Sequence, residues 1–191
     1  MLLGPDDPLP ARPRRVAIAG VTGSGKTTLA GRIAQALDVP HVEIDGLHWG
    51  PGWTPREEFL DDVRALAAWD RWVTEWQYRA ARPIVLKRVD LMVWLDLPYR
   101  RTLAQLVRRT LLRRVRREQL WHGNVEPPLR TMLSDSDHIL RWSWRTRRRY
   151  AGLPAQIEAA RPGLPVVRLT SRPEVDRWVA LLAARGDETQ L

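Results

Sequence analysis

Short apolar runs closed by glycine or proline alternate along this chain with longer stretches whose apolar positions recur every three or four residues. Residues 15–20 are almost uniformly apolar through Val16, Ala17, Ile18 and Ala19 and end on Gly20. Such a run is apolar on both faces, which predicts a buried parallel strand. Residues 41–45, 71–75, 91–97 and 165–170 predict four more strands. Between them the period changes. Leu29, Ile33 and Leu37 predict a helix over 27–37. Thr54-Pro55-Arg56-Glu57 reads as a helix start, with a capping Thr, Pro in the first position and Glu three residues after the cap. Phe59, Val63 and Leu66 continue it. A basic helix is expected over 100–117, a loop over 123–128 where Pro127-Pro128 forbids helix, and helix again over 137–160. Ser171-Arg172-Pro173-Glu174 opens a last helix, with Val175, Trp178, Val179 and Leu182 as its buried stripe. This alternation predicts an α/β fold with a parallel sheet covered on both faces. Residues 1–14, rich in proline and without periodicity, are expected to be a flexible tail, as are 186–191. A single domain is expected over 15–185.

The strongest chemical signal joins the first strand to the first helix. Gly20-Val21-Thr22-Gly23-Ser24-Gly25-Lys26-Thr27 fits G-x-x-x-x-G-K-[ST] in the strand–loop–helix context that the motif requires. Gly23 and Gly25 let successive N–H groups turn inward as an anion nest, and the helix N-terminus adds partial positive charge. Nucleoside triphosphate is the expected ligand, bound by Gly20, Thr22, Gly23, Ser24, Gly25, Lys26, Thr27 and Thr28. Lys26 is expected to reach the β- and γ-phosphates, and the Thr27 hydroxyl to ligate Mg²⁺.

Ligands of open α/β sheets sit at the carboxyl ends of the strands. Asp45, Glu75 and Asp96 fall at such ends. Glu75 is expected to hold Mg²⁺ through water. Asp45 is expected to orient or deprotonate an acceptor hydroxyl. Asp96, followed closely by Pro98, reads as a structural cap. Gly46-Leu47-His48-Trp49 is a candidate acceptor pocket wall.

Charge then changes the picture. The net charge is +9, and residues 100–149 carry fourteen Arg against Glu118, Glu126, Asp135 and Asp137, so the rest of the chain is close to neutral. Basic helix, Pro/Gly-bearing loop and second basic helix form the order expected of a lid, about residues 113–140, closing over a nucleotide. Arg109, Arg113, Arg117, Arg141 and Arg145 are candidates to face the phosphates, and Arg113 and Arg117 are assigned to catalysis. Trp142 and Trp144, set among arginines, leave base stacking open as another use of the block.

Composition mostly excludes. With no cysteine among 191 residues, disulfides, zinc-thiolate sites and thiol catalysis are ruled out. No apolar run approaches the length of a membrane span, and residues 1–15 lack the apolar stretch of a signal peptide. A cytoplasmic protein, monomer or homodimer, is the expectation.

The residues quoted above resemble a family of small bacterial P-loop proteins described as adenylate-kinase-like or DNA topology-modulation (FlaR-like). The resemblance covers about residues 15–180. It rests on the P-loop, on Glu43-Ile44-Asp45-Gly46-Leu47-His48-Trp49, on Trp72-Val73-Thr74-Glu75 and on residues 91–98. Its narrowest part is Leu120-Trp121-His122-Gly123-Asn124-Val125-Glu126, followed by Ile139-Leu140-Arg141-Trp142. It implies a P-loop NTPase fold like that of nucleoside-monophosphate kinases, with five parallel strands ordered 2-3-1-4-5 and a lid. The chain departs from the family at Glu75-Trp76-Gln77-Tyr78, where Asp-Gly-Asn-Tyr is common. Glu75 keeps the carboxylate, but Trp76 replaces glycine, so acceptor binding at that strand end is not carried over.

Three functions fit these residues. One is an ATP-dependent kinase of a small acceptor. Another is a nucleic-acid-binding regulator that uses the arginine block, with ATP as a switching ligand. The third is an ATP-binding protein without appreciable catalysis.

Overall fold

The structure is a computed structural model that describes residues 1–116, 119–125, 144, 146 and 149–187. Its strands are β1 (Leu2–Leu3), β2 (Arg15–Gly20), β3 (His41–Val42), β4 (Trp72–Glu75), β5 (Leu91–Leu95) and β6 (Val166–Leu169). Its helices are α1 (Lys26–Leu37), α2 (Ile44–His48), α3 (Phe59–Ala68), α4 (Arg82–Arg88), α5 (Tyr99–Arg116), α6 (Leu153–Ala160) and α7 (Arg172–Asp187).

The strands form one parallel sheet in the order β1-β6-β5-β2-β4-β3. Without β1, that is the five-strand order 2-3-1-4-5. The P-loop strand β2 lies at the centre, where its uniformly apolar sequence places it: Val16 through Ala19 have no solvent exposure. Helices pack on both faces. Leu29, Ile33 and Leu37 of α1 join Val175, Trp178 and Leu182 of α7 on one face. Phe59, Val63 and Leu66 of α3, Val85 of α4 and Leu153 and Ile157 of α6 cover the other. Burying side chains of this size stabilises the fold by roughly 1.5–3 kcal/mol each before the entropy of ordering them is counted.

Three local expectations need correction. The first concerns the tail. Leu2 and Leu3 pair with Val166 and Val167. The terminal ammonium sits 2.8 Å from Glu158. Strand β6 would otherwise present an open edge, and two apolar residues suffice to cover it. The second concerns the strand expected over 41–45, which ends at Val42. The N–H of Ile44 is captured by the Glu75 carboxylate at 3.1 Å, and the chain turns into α2. Asp45 therefore lies in the first turn of a short helix and not at a strand end. The third concerns Thr54-Pro55, which does not start a helix. Gly50 donates to the Thr54 carbonyl, Arg56 to that of His48, and Pro55 bridges Trp49, so these residues close a loop. Helix α3 begins only at Phe59.

Candidate active site

The carboxyl ends of β2, β4 and β5 come together, with Ile18 opposite Glu75 and Gly20 opposite Leu95. Gly20 to Thr27 turns there from strand to helix. Gly23 (φ 81°) and Gly25 (φ 92°) are left-handed, and Gly25 caps α1. Gly23 is constrained a second time: a Cβ would stand 2.4 Å from the Thr102 carbonyl oxygen and 2.8 Å from Leu106 Cβ. The basic helix α5 thus rests directly on the phosphate loop. Gln105, with its amide turned to satisfy both neighbours, donates to the Gly23 carbonyl and accepts from Arg172. Ser24 is buried, whereas Thr27 and Thr28 are exposed at the start of α1, and Thr22 is half-buried.

Lys26 is 9% exposed, and its ammonium donates to the Val21 carbonyl at 3.4 Å. Burial lowers its pKa to about 8, against the opposing pull of Asp45 and Glu75. The charges of Arg109 and Arg149 push it down further. Two carboxylates and two guanidinium groups therefore act on the charge of this lysine.

Asp45 Oδ1 accepts from the Tyr78 hydroxyl at 2.6 Å and from Gln77 Nε2 at 2.8 Å. Burial raises its pKa, while the Tyr78 bond and the charges of Lys26 and Arg109 act the other way. A carboxyl poised upward is better matched to accepting a proton near neutrality. Tyr78 is itself left-handed (φ 43°) and stacks on His48 at 3.9 Å between centroids. Burial lowers the pKa of His48.

Glu75 is 2% exposed. Burial would raise its pKa, but the neighbouring His41 and the hydrogen bond from the Ile44 backbone outweigh it and hold the group ionised below the usual range. Its Oε2 holds Ile44 N–H, and its Oε1 lies 3.5 Å from His41 Nε2. Among the described residues Oε1 has no hydrogen-bond partner, so it is a buried acceptor still to be satisfied. The Thr27 hydroxyl is near enough to help hold this carboxylate ionised. Among the described residues no group of three or more His, Cys, Asp or Glu is placed to hold a metal. One hydroxyl and one buried carboxylate fit a cation coordinated mainly by phosphate and water, which is how Mg²⁺ binds.

Trp76, which the family pattern fills with glycine, is part of the core. It is buried among Ala17, Ala19 and Tyr150, with the Arg82 guanidinium 4.4 Å over its ring. Asp96 pairs with Arg168 on the neighbouring strand at 2.5 Å.

Thr102, Leu106, Arg109 and Arg113 succeed one another along one face of α5, and Arg113 is half-buried. Arg117, Arg141, Arg145, Trp142 and most of the expected lid lie outside the described residues. Trp144 stacks edge-on against Tyr99 at 5.8 Å. Arg149, not distinguished by sequence from its neighbours in the run 147–149, is the arginine whose charge reaches both Lys26 and Arg82.

A second feature escaped the sequence reading. Residues 121–124 form a tight turn with His122 (φ 56°) and Gly123 (φ 76°) both left-handed, as a type I′ turn requires. It docks on residues 43–53. Trp121 Nε1 donates to Glu43 at 3.1 Å, and the buried Asn124 donates to the Gly50 carbonyl at 2.8 Å.

No protein-family profile matches this sequence, and no curated protein matches it significantly. Solved structures do. A gluconokinase from Sinorhizobium meliloti is 19% identical, covers 94% of this chain and 97% of its own, and superposes with a TM-score of 0.51. A shikimate kinase from Acinetobacter baumannii, solved with shikimate, is 14% identical, covers 92% and 94%, and has a TM-score of 0.55. At these identities the likeness establishes the architecture, and the chain has the fold of the small P-loop kinases.

Proposed function

We propose that the chain is an ATP-dependent kinase that transfers the γ-phosphoryl group of ATP to a hydroxyl of a small acceptor. The observation that carries this reading is the Gly20–Thr27 loop, with Gly23 and Gly25 left-handed at the head of α1, together with the electrostatic coupling of its buried Lys26 to Asp45 on α2. Each charge acts on the other's protonation, so phosphate-binding and proton-accepting groups share one site.

In this reaction the acceptor oxygen attacks the γ-phosphorus. The new P–O bond forms as the bond to the β,γ-bridging oxygen breaks, the hydroxyl proton passes to Asp45, and ADP leaves. The N–H groups of residues 22–28 and the Lys26 ammonium hold the phosphates. Arg109, with Arg113 and Arg117 beyond it, balances the charge spread over the transferred group. Thr27, and Glu75 through water, would hold Mg²⁺. Bound there, Mg²⁺ supplies charge neutralisation across the β- and γ-phosphates.

The test is ADP release from ATP across a panel of hydroxyl-bearing acceptors, with the Lys26→Ala variant beside the wild type. The proposal expects at least one acceptor to stimulate release, and Lys26→Ala to abolish both stimulation and ATP binding. No stimulation together with unchanged ATP binding in the variant overturns it.

A further inference from the structure

The segment that carries Asp45 is held from outside by the turn that follows α5. Asn124 is 5% exposed, and both ends of its amide are used. Its Oδ1 accepts from the Trp53 N–H at 3.1 Å, and its Nδ2 donates to the Gly50 carbonyl at 2.8 Å. Trp53 is left-handed (φ 58°), a conformation that a bulky residue keeps only when its surroundings dictate it. Its indole N–H donates to the Val125 carbonyl at 3.1 Å. Trp121 lies so close over Gly46 that a Cβ there would come within 2.7 Å of the ring. Of the four left-handed non-glycine residues among those described, Asp38 closes α1, and the other three (Trp53, Tyr78 and His122) all belong to this assembly.

Rings then run inward from the turn. Trp121 meets Trp53 at 6.3 Å, Trp53 meets Trp49 at 5.7 Å, Trp49 meets His48 at 4.6 Å, and His48 meets Tyr78 at 3.9 Å. Tyr78 ends the series on Asp45. All five rings are half-buried, so each keeps part of its surface towards solvent. Among the described residues, the charged groups along this path are Glu43 under Trp121, Asp45 and Glu75 acting on Tyr78, and Arg56, which donates to the Leu47 carbonyl and whose charge is matched by Asp62 at 2.7 Å, so the carboxylates outweigh it. Lys26 and Arg109 lie on the phosphate side of Asp45. A molecule whose hydroxyl reaches Asp45 along these rings gains stacking, and any anionic substituent on it faces like charge.

We propose that the 119–125 turn is a specificity clamp, in which Asn124 positions Trp53 and Trp121, and that the site it walls takes an uncharged ring compound bearing a free hydroxyl. This deepens the kinase reading and rests on it. Helix α5 touches the phosphate loop at Gly23, and the turn touches the acceptor segment at Gly46. One stretch of chain therefore bears on both substrates.

The experiment compares adenosine and glucose with AMP and glucose 6-phosphate in two measurements. One is ADP release with MgATP. The other is tryptophan-fluorescence titration with MgADP, which reads binding whether or not turnover occurs. The uncharged member of a pair is expected to bind at least about tenfold tighter than its phosphorylated counterpart. In Asn124→Ala and in Trp121→Phe, which keeps a ring but loses the Glu43 bond, acceptor KM is expected to rise about tenfold while ATP KM stays within about twofold. A merely structural role would move both constants together. Binding of an uncharged probe without ADP release sinks the kinase reading and leaves the site assignment standing. Preference for the phosphorylated probes, no binding of either kind, or equal changes in the two KM values overturns the clamp.

Discussion

Lys26 couples protonation to ligand binding. Below about pH 8 it is charged in the folded and the unfolded chain alike, and burying the charge is a constant cost. Between about 8 and the ordinary 10.5 the unfolded chain still holds the proton and the folded chain does not, so the cost is relieved as pH rises. A bound triphosphate reverses this by favouring the ammonium. ATP binding at pH 9 is therefore expected to take up a proton, approaching about one per site. Calorimetry in two buffers of different ionisation enthalpy measures it. Lys26→Arg, charged throughout, should show no uptake, and equal uptake in both proteins would refute the assignment. Asp45 gives the converse case. Its carboxyl is pushed up by burial, so the charged form is costly once pH exceeds its folded pKa. Asp45→Asn is expected to lower turnover by roughly 10²–10⁴. Its melting temperature at neutral pH should stay the same or rise. A large loss of stability would mean that Asp45 serves the fold.

Local elements explain what the sequence revealed and what it concealed. The phosphate loop was legible because its chemistry is contiguous, with glycine, lysine and threonine all between strand and helix. The position of Asp45 was not, because the carboxylate that ends β3 and turns the chain into α2 belongs to Glu75, far off in sequence. Glu75→Gln is expected to cost about 1–3 kcal/mol at neutral pH by weakening the bond from Ile44 and losing the charge that faces His41. Because the Glu75 pKa is lowered, that contribution is fully present above the ordinary carboxylate range and is lost as pH falls through the folded value. Urea denaturation of both proteins from pH 7 downward should show the difference shrinking; a constant difference would contradict the assignment. Gly23 belongs to two elements at once. Gly23→Ala meets the rigid Thr102 carbonyl and an unfavourable φ, and should destabilise by more than about 1 kcal/mol in thermal melts. Unchanged stability would mean that α5 can withdraw from the loop. The docked turn at 121–124 was quoted from the sequence as a pattern. Its partner Gly46 is 75 residues away from Trp121, and nothing local announces that contact.

At the scale of the molecule, the parallel sheet and its two buried faces were readable from period, since strand runs and helix stripes differ in spacing, whereas the strand order came only from the family resemblance. The sixth strand was not, because Leu2–Leu3 is too short to carry a period and gains its identity only from the open edge of β6. The concentrated positive charge also reads differently in three dimensions. The charge of Arg109 on helix α5 acts on both Lys26 and Asp45, which puts part of the basic block at the proposed site. Charge used in this way should tie arginine substitutions on α5 to turnover. The most direct test of the whole account follows the label of γ-labelled ATP in the presence of an acceptor, in wild type and in Asp45→Asn. The account predicts label on the acceptor hydroxyl, lost in the variant. Label released only as inorganic phosphate, at the same rate in both proteins, would contradict it.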